Sequence, residues 1–174
     1  MAAKRHERTY ARKQAIQVLY QAEILEVVPT SLLEDDSSFI DKAKPSEYAA
    51  RVVDGVSRKC VGIDRLLGQY SENWAVDRMP AVDRAILRLA CYEMAYEDEI
   101  PVSVAINEAV ELAKEFGGED ESPRFVNGVL GRIADYLEEH GGTIPEDGDY
   151  AGESEAAPAA AAELAADAAA PEGE

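Results

Sequence analysis

"PAVDRAILRLACYEMAYEDEIPVSVAINEAVELAKEFG", residues 80–117, holds two helices and the joint between them. Pro80 suits the opening of a helix, where its missing N–H costs nothing and its fixed φ is already helical. Behind it Val82, Ala85, Ile86, Leu89 and Ala90 recur at steps of three and four residues, the spacing that lines one side of an α-helix. "EDEIP" at 97–101 is a polar joint. Ser103 is placed to cap a second helix with the stripe Ile106, Ala109, Val110 and Ala113, and "FGGEDESP" at 116–123 breaks it. A strand would alternate with period two, and this stretch does not.

The same spacing continues in both directions. Upstream, Ala11, Ala15, Val18, Leu19 and Ala22 form one stripe, which predicts a helix over 9–25. Pro29 and Thr30 open a short helix through Leu32, Leu33 and Phe39, within 29–44. Ser46 reads as an N-cap ahead of Ala49, Val52, Val53, Val56 and Cys60. Gly62 is expected to break that helix, with Ile63, Leu66, Leu67, Tyr70 and Trp74 making the next stripe. Downstream, Ser122 as N-cap and Pro123 at the first helical position begin a helix carrying Val126, Val129, Leu130, Ile133 and Leu137, which Gly141-Gly142 ends. The sum is an all-α fold class: a compact domain of about seven helices joined by short polar links.

Three segments follow: a basic arm over residues 1–8, a helical domain over 9–140 and an acidic, Ala-rich tail over 141–174. The tail has too few large apolar residues to offset its ordering entropy and reads as disordered. Over all 174 residues there are 17 Lys and Arg against 35 Asp and Glu, a formal net charge of −18. Nine of those acids lie in the tail, which has no Lys or Arg. So acidic a chain cannot bind nucleic acid through its average field, and any such contact must be local. Cys60 and Cys91 share no metal-ligand spacing and read as buried free thiols of a reducing compartment. No run approaches the ~18 apolar residues of a membrane span, and the charged N-terminus lacks the apolar core of a signal peptide. A cytoplasmic protein without membrane association is expected.

Catalytic equipment is thin. His6 and His140 stand at opposite ends, the paired acids 97–99 and 119–121 fall in helix joints, and no P-loop or dinucleotide fingerprint is present. No enzyme, cofactor or metal is expected. "GVLG" at 128–131 lies mid-helix, where its glycines are expected to let another helix approach. The basic stretch "KRHERTYARK" at 4–13 differs in kind, placing Lys4, Arg5, Arg8, Arg12 and Lys13 against the single acid Glu7. On a helix Arg5, Arg8 and Arg12 line up on one side. Cations at a helix N-terminus oppose the macrodipole, so a purely solvated helix start explains them poorly, and a local site for phosphates of RNA or DNA explains them better.

At this point "RTYARKQAIQVLYQAE", "VDRAILRLACYEMAYEDEIPVSVAINEAVELAKEFG" and "SPRFVNGVLGRI" resemble the NusB family of transcription antitermination proteins, over about residues 5–138. The resemblance implies an all-α fold of two small helical bundles. It also implies a function: binding the boxA element of ribosomal RNA transcripts as single-stranded RNA together with NusE, a small-subunit ribosomal protein, and promoting read-through by RNA polymerase. Other Nus factors and the polymerase are the further partners implied. By the same resemblance Arg8, Arg12 and Gln17 face RNA, with Phe125 and Asn127 as a second RNA-facing region, and Lys4, Arg5 and Lys13 join them as the other cations of the basic stretch. An aromatic there suits stacking on exposed bases, although Phe125 beside Val126 and Val129 also reads as core. Tyr20, Asp83 and Arg88 are the implied NusE contacts, the last two reading equally as ordinary surface charges. Thr9 and Tyr10 interrupt what is often an unbroken arginine run in the family. Some family members self-associate over the RNA surface, which leaves monomer and homodimer both open.

The rival reading is a protein-binding helical adaptor or regulatory domain without direct RNA contact. It is related to the NusB-like part of ribosomal RNA cytosine methyltransferases. Those enzymes need a following catalytic domain with a Gly-rich cofactor loop, for which the low-complexity tail offers no residues.

Overall fold

A computed structural model of the chain describes residues 2–34, 44–72, 74–117 and 121–145. Among the described residues five α-helices carry the fold: α1 (Ala2–Ile24), α2 (Glu47–Tyr70), α3 (Ala81–Tyr96), α4 (Val102–Phe116) and α5 (Glu121–Glu139). Short 3-10 turns lie at Pro29–Leu33 and Val76–Arg78, and no strand occurs among the described residues. The all-α expectation therefore holds. The expected disorder of the tail falls on residues 146–174, outside the described residues.

The stripe read from residues 80–117 explains the arrangement. Ten of the 16 residues of α3 are buried, and a helix buried nearly all round sits in the middle of a domain. α1 and α2 pack on α3 and on each other, while α4 and α5 pack on α3 and on each other, so α3 belongs to two three-helix groups. The expected stripes fill the space between them. Ala11, Ala15, Val18, Leu19 and Ala22 of α1 are buried, as are Val52, Val53, Val56, Leu66 and Leu67 of α2 and Val126, Val129, Leu130, Ile133 and Leu137 of α5. Each large aliphatic side chain removed from water contributes about 1.5–3 kcal/mol.

Several local expectations are corrected. α1 begins at Ala2 rather than at residue 9, so the cations of residues 4–8 ride on helix and not on an arm. The helix expected over 29–44 is a single 3-10 turn, Pro29–Leu33, among the described residues. Gly62 does not break α2, which runs unbroken from Glu47 to Tyr70. A Cβ at Gly62 would come within 3.0 Å of the Pro145 carbonyl oxygen and 3.1 Å of Ile144, so the glycine clears a path for the segment after α5. Ile144 is buried there, which carries the packed domain past the expected boundary at 140. Ser103 caps nothing, because α4 starts at Val102 behind Pro101. Ser46 does cap α2, accepting from the Ala49 N–H at 3.2 Å. Gly141 and Gly142 end α5 at positive φ, and the Gly142 N–H reaches the Leu137 carbonyl at 2.7 Å.

Two further glycine readings are settled by what surrounds them. Apart from adjoining residues and the helix's own backbone, no atom among the described residues lies within 4 Å of a Cβ built on Gly128 or Gly131, so these two glycines face open space and receive no neighbouring helix. At Gly117 a Cβ would fall 2.8 Å from the Asp83 carboxylate and 2.3 Å from the Ser122 hydroxyl, two short buried side chains that cannot swing aside. Gly117→Ala should therefore lower stability by about 1–3 kcal/mol through overpacking. Gly128→Ala should raise it by up to about 1 kcal/mol, because alanine costs less than glycine in a helix interior. Thermal melts of the two variants check both, and equal melting temperatures would contradict the packing assigned to Gly117.

Candidate nucleic-acid interface

The arginines of α1 lie on one side of the helix but not in one environment. Side-chain exposure falls from 82% at Arg5 to 25% at Arg8 and 4% at Arg12. Lys4 is exposed beside Arg5. Arg5 approaches the Glu108 carboxylate at 3.6 Å, and Arg8 approaches Glu99 at 3.9 Å while its guanidinium lies 3.8 Å from the Tyr48 ring centroid. Lys13 pairs with Glu115 at 2.7 Å. Gln17 is half-buried. Exposed pairs of this sort are worth roughly 0–1 kcal/mol, so Arg5, Arg8 and Lys13 can exchange their carboxylates for phosphates.

Arg12 is the exception, and its expected place against RNA is corrected by its burial. Its Nε donates to both carboxylate oxygens of Glu93, at 2.9 and 3.1 Å, and its Nη1 lies 3.4 Å from Glu108. The Tyr48 hydroxyl donates to Glu93, and Thr9 donates to Glu108 at 2.8 Å. One cation thus joins α1, α2, α3 and α4. Burial pushes the Glu93 carboxyl above its ordinary range, a push that Arg12 and Tyr48 oppose. The Tyr48 hydroxyl is pushed strongly upward by burial and by the facing Glu93 charge, so it remains a donor. Sequence reasoning missed Glu93, yet a signal exists. It extends the stripe Val82, Ile86, Leu89 by one turn, and an acid on an apolar stripe requires a buried cation.

The three residues expected to meet a protein partner also separate. Tyr20 is 39% exposed, and beyond it Ile24, Leu25, Val27 and Val28 are exposed as well. They surround a turn in which Glu26 takes a φ of 55°. Asp83 is no surface charge: it is buried and accepts the Ser122 hydroxyl across the α3–α5 contact. The expectation that it lies clear of the core is overturned, because α3 packs on both sides and its off-stripe face meets α5. Ser122 likewise serves Asp83 from inside the first turn of α5 and does not cap it. Arg88 binds Asp64 through Nε and Nη2, both at 2.8 Å, and Glu23 at 3.3 Å, with Arg84 also on Glu23. This second ionic cluster ties the end of α1 to α2 and α3.

On α5, Asn127 is exposed and Phe125 half-buried. Phe125 meets the indole of Trp74, ring centroids 6.2 Å apart at 52°. Trp74 was expected on the core stripe of α2 but is 49% exposed, since α2 ends at Tyr70 and the periodicity no longer applies. Among the described residues no group of three or more His, Cys, Asp or Glu could hold a metal ion, and no helix is long and apolar enough to cross a membrane. Both cysteines are free; Cys91 is buried, and Cys60, half-buried, faces Asp64 at 3.7 Å.

Residues 9–135 match the family model of the NusB family. A stretch of 131 residues is 45% identical to the transcription antitermination protein NusB of Salinispora arenicola, spanning 74% of this chain and 96% of that protein. The Bacillus subtilis protein of the same name is 41% identical over 133 residues, 76% of this chain and 98% of that one. Among solved structures, T. maritima NusB aligns with a TM-score of 0.64 at 35% identity, covering 79% of this chain and 93% of that chain. A crystal structure of antitermination factors NusB and NusE in complex with dsRNA aligns with a TM-score of 0.65 at 27% identity, covering 75% and 98%.

Two outcomes follow from the buried charges. Arg12→Ala should cost about 3–5 kcal/mol of stability by stranding Glu93 in the interior, whereas Arg5→Ala should leave the melt within about 0.5 kcal/mol of the parent. Indistinguishable melts would remove Arg12 from the core. Burial also raises the Asp83 carboxyl above its ordinary value, the Ser122 hydrogen bond working the other way. The folded chain therefore holds that proton more tightly than the unfolded chain. The stabilisation is full below the ordinary carboxylate pKa of about 4 and is lost as pH rises through the raised value. Asp83→Asn, which still accepts from Ser122, should gain stability relative to the parent as pH climbs from about 4 to 7. A constant difference between the two melts across that range would contradict the raised value.

Proposed function

The chain belongs to the NusB family, and from that premise we propose that it is an RNA-binding transcription antitermination factor, without catalytic activity, that holds boxA RNA of ribosomal transcripts together with NusE. In this reading the assembled complex, with other Nus factors, promotes read-through by RNA polymerase. Supporting it are relatives named as transcription antitermination proteins and matched over nearly their full length, and a structural neighbour that contains NusE and RNA. The observation that carries the RNA contact is the cationic start of α1: Lys4, Arg5, Arg8 and Lys13 hold charge at or near the surface of an otherwise acidic chain. Gln17 extends that face, and Phe125 and Asn127 supply the second one. Arg12 contributes from beneath, by fixing the helix that presents the others.

For NusE, the proposed surface is the far end of α1. Tyr20 borders the exposed apolar residues Ile24, Leu25, Val27 and Val28, a patch of the sort that marks a protein contact. Arg88 lies just behind it and shares Glu23 with Arg84, so it orients the end of the helix, while Asp83 acts only through the α3–α5 packing.

Titration of a single-stranded boxA RNA in a gel shift, with and without NusE, tests this reading. Binding should be weak alone and tighter with NusE. With three or four phosphates neutralised, log K should fall against log[salt] with a slope of about −2 to −3, at ~0.7 per contact for single strands. Arg8→Ala should reduce that slope by about 0.7. A flat salt response, or no RNA shift even with NusE, would exclude the cationic turns of α1 as an RNA site.

A further inference from the structure

Trp74 is the chain's only tryptophan, and it stands half-exposed at the surface although nothing in the helix pattern requires it there. Its backbone N–H and carbonyl are both held by Ser71. The Trp74 N–H donates to the Ser71 carbonyl at 2.9 Å, and the buried Ser71 hydroxyl donates to the Trp74 carbonyl at 2.6 Å. Just before it Glu72 takes a φ of 25°, a strained position for a residue with a Cβ, and its carboxylate is held by Arg132 of α5 at 2.7 Å. The turn is thus fastened to α5 at two places, Trp74 on Phe125 and Glu72 on Arg132.

Positions 125, 128 and 132 share one side of α5. The position between the two fastenings is Gly128, above which the space is open for at least 4 Å. The result is a shallow, open groove along α5, with the Trp74 indole on Phe125 at one end and the Arg132 guanidinium, paired with Glu72, at the other. A flat, electron-rich group fits there, stacked on the aromatic and facing the cation. Arg124 and Asn127 are exposed on the same helix, which makes the groove continuous with the RNA-facing residues Phe125 and Asn127.

We propose that this groove between Trp74 and α5 takes one unpaired nucleobase of the bound RNA, stacked on the Trp74 indole over Gly128. The inference rests on the RNA-binding reading above and deepens it, because it assigns a base-binding position where the α1 cations supply only phosphate contacts. Stacking is sequence-tolerant, so the groove adds affinity for single strands and discriminates against duplexes, whose bases are already stacked.

Because there is a single tryptophan, its fluorescence reports on this groove alone. The full-length protein is titrated with single-stranded boxA RNA and, separately, with the same RNA annealed to its complement. Single-stranded RNA should quench the emission and the duplex should not. Trp74→Ala should weaken single-strand binding by roughly 5- to 150-fold, the range that base stacking on one aromatic supports, with the salt slope unchanged and the protein still folded at the assay temperature. Trp74→Phe should stay within a few-fold of the parent. If the parent shifts boxA RNA while its emission stays constant and Trp74→Ala binds equally well, the groove is empty and only this inference fails. Equal quenching by duplex and single strand would also overturn it. Failure of the parent to bind RNA at all, even with NusE, is a different result and removes the underlying reading.

Discussion

The Arg12 guanidinium, enclosed by Glu93 and Glu108, is the contact on which the other parts of this molecule depend. It is the point where four of the five helices meet: Arg12 on α1, Tyr48 on α2, Glu93 on α3 and Glu108 on α4. Its chemistry suits the position. A planar guanidinium can donate in several directions at fixed angles, so one cation satisfies two carboxylates while Tyr48 and Thr9 complete the acceptors. Such clusters add little net stability over a well-packed apolar core, since desolvation offsets most of the attraction. What this one does is fix α1 in rotation and register, because no other setting of the helix brings Arg12 to both acids.

That constraint resolves an apparent contradiction in the charge distribution. Five of 17 basic residues fall within the first 13 positions of a chain with net charge −18. Read as a nucleic-acid site alone, the concentration looks like a single-purpose patch. It is instead graded along the helix. Arg12 is spent inside, Lys13 and Arg8 are held at the margin by Glu115 and Glu99, and Arg5 and Lys4 reach into solvent. The acids of α3, α4 and the joint between them face this helix, which lets an acidic protein hold a cationic ridge in a defined orientation. The marginal pairs are weak by their exposure, so the ridge is restrained without being neutralised.

Most of the fold was legible in the sequence, for a simple reason. The stripes of α1, α2, α3, α4 and α5 are periodic in hydrophobicity, and periodicity survives without tertiary context. What failed depends on context. Gly62 reads as a breaker until Ile144 is seen lying against it, and Gly128 reads as a packing glycine until the space above it proves open. Trp74 falls on the extrapolated stripe of a helix that has already ended at Tyr70. Asp83 reads as exposed because it lies off the stripe of α3, but a central helix has no solvent face to spare there. The site was legible only as residue types. Arg8 and Arg12 are alike in sequence, and their separation into surface and core is set by Glu93, an acid on an apolar stripe whose meaning appears only in pairing.

Among the described residues, the two proposed RNA-facing regions, the ridge of α1 and the α5 face with Trp74, are not joined by an ion pair or hydrogen bond of their own. Each is referred to α3: the ridge through Arg12 and Glu93, the α5 face through Ser122 and Asp83. The distance between the proposed phosphate-binding cations and the proposed base-binding aromatic is therefore set by one buried helix with polar contacts at both ends. A flexible single strand loses conformational freedom on binding, and two contact regions held at a fixed separation make the second contact intramolecular once the first has formed. In the proposed RNA complex, a protein with few available cations and a large negative net charge would rely less on field strength than on the rigidity with which α3 spaces two weak sites. The same rigidity explains why polar residues are tolerated in its core: Glu93 and Asp83 specify where α1 and α5 stand, which apolar packing alone would leave free to slide.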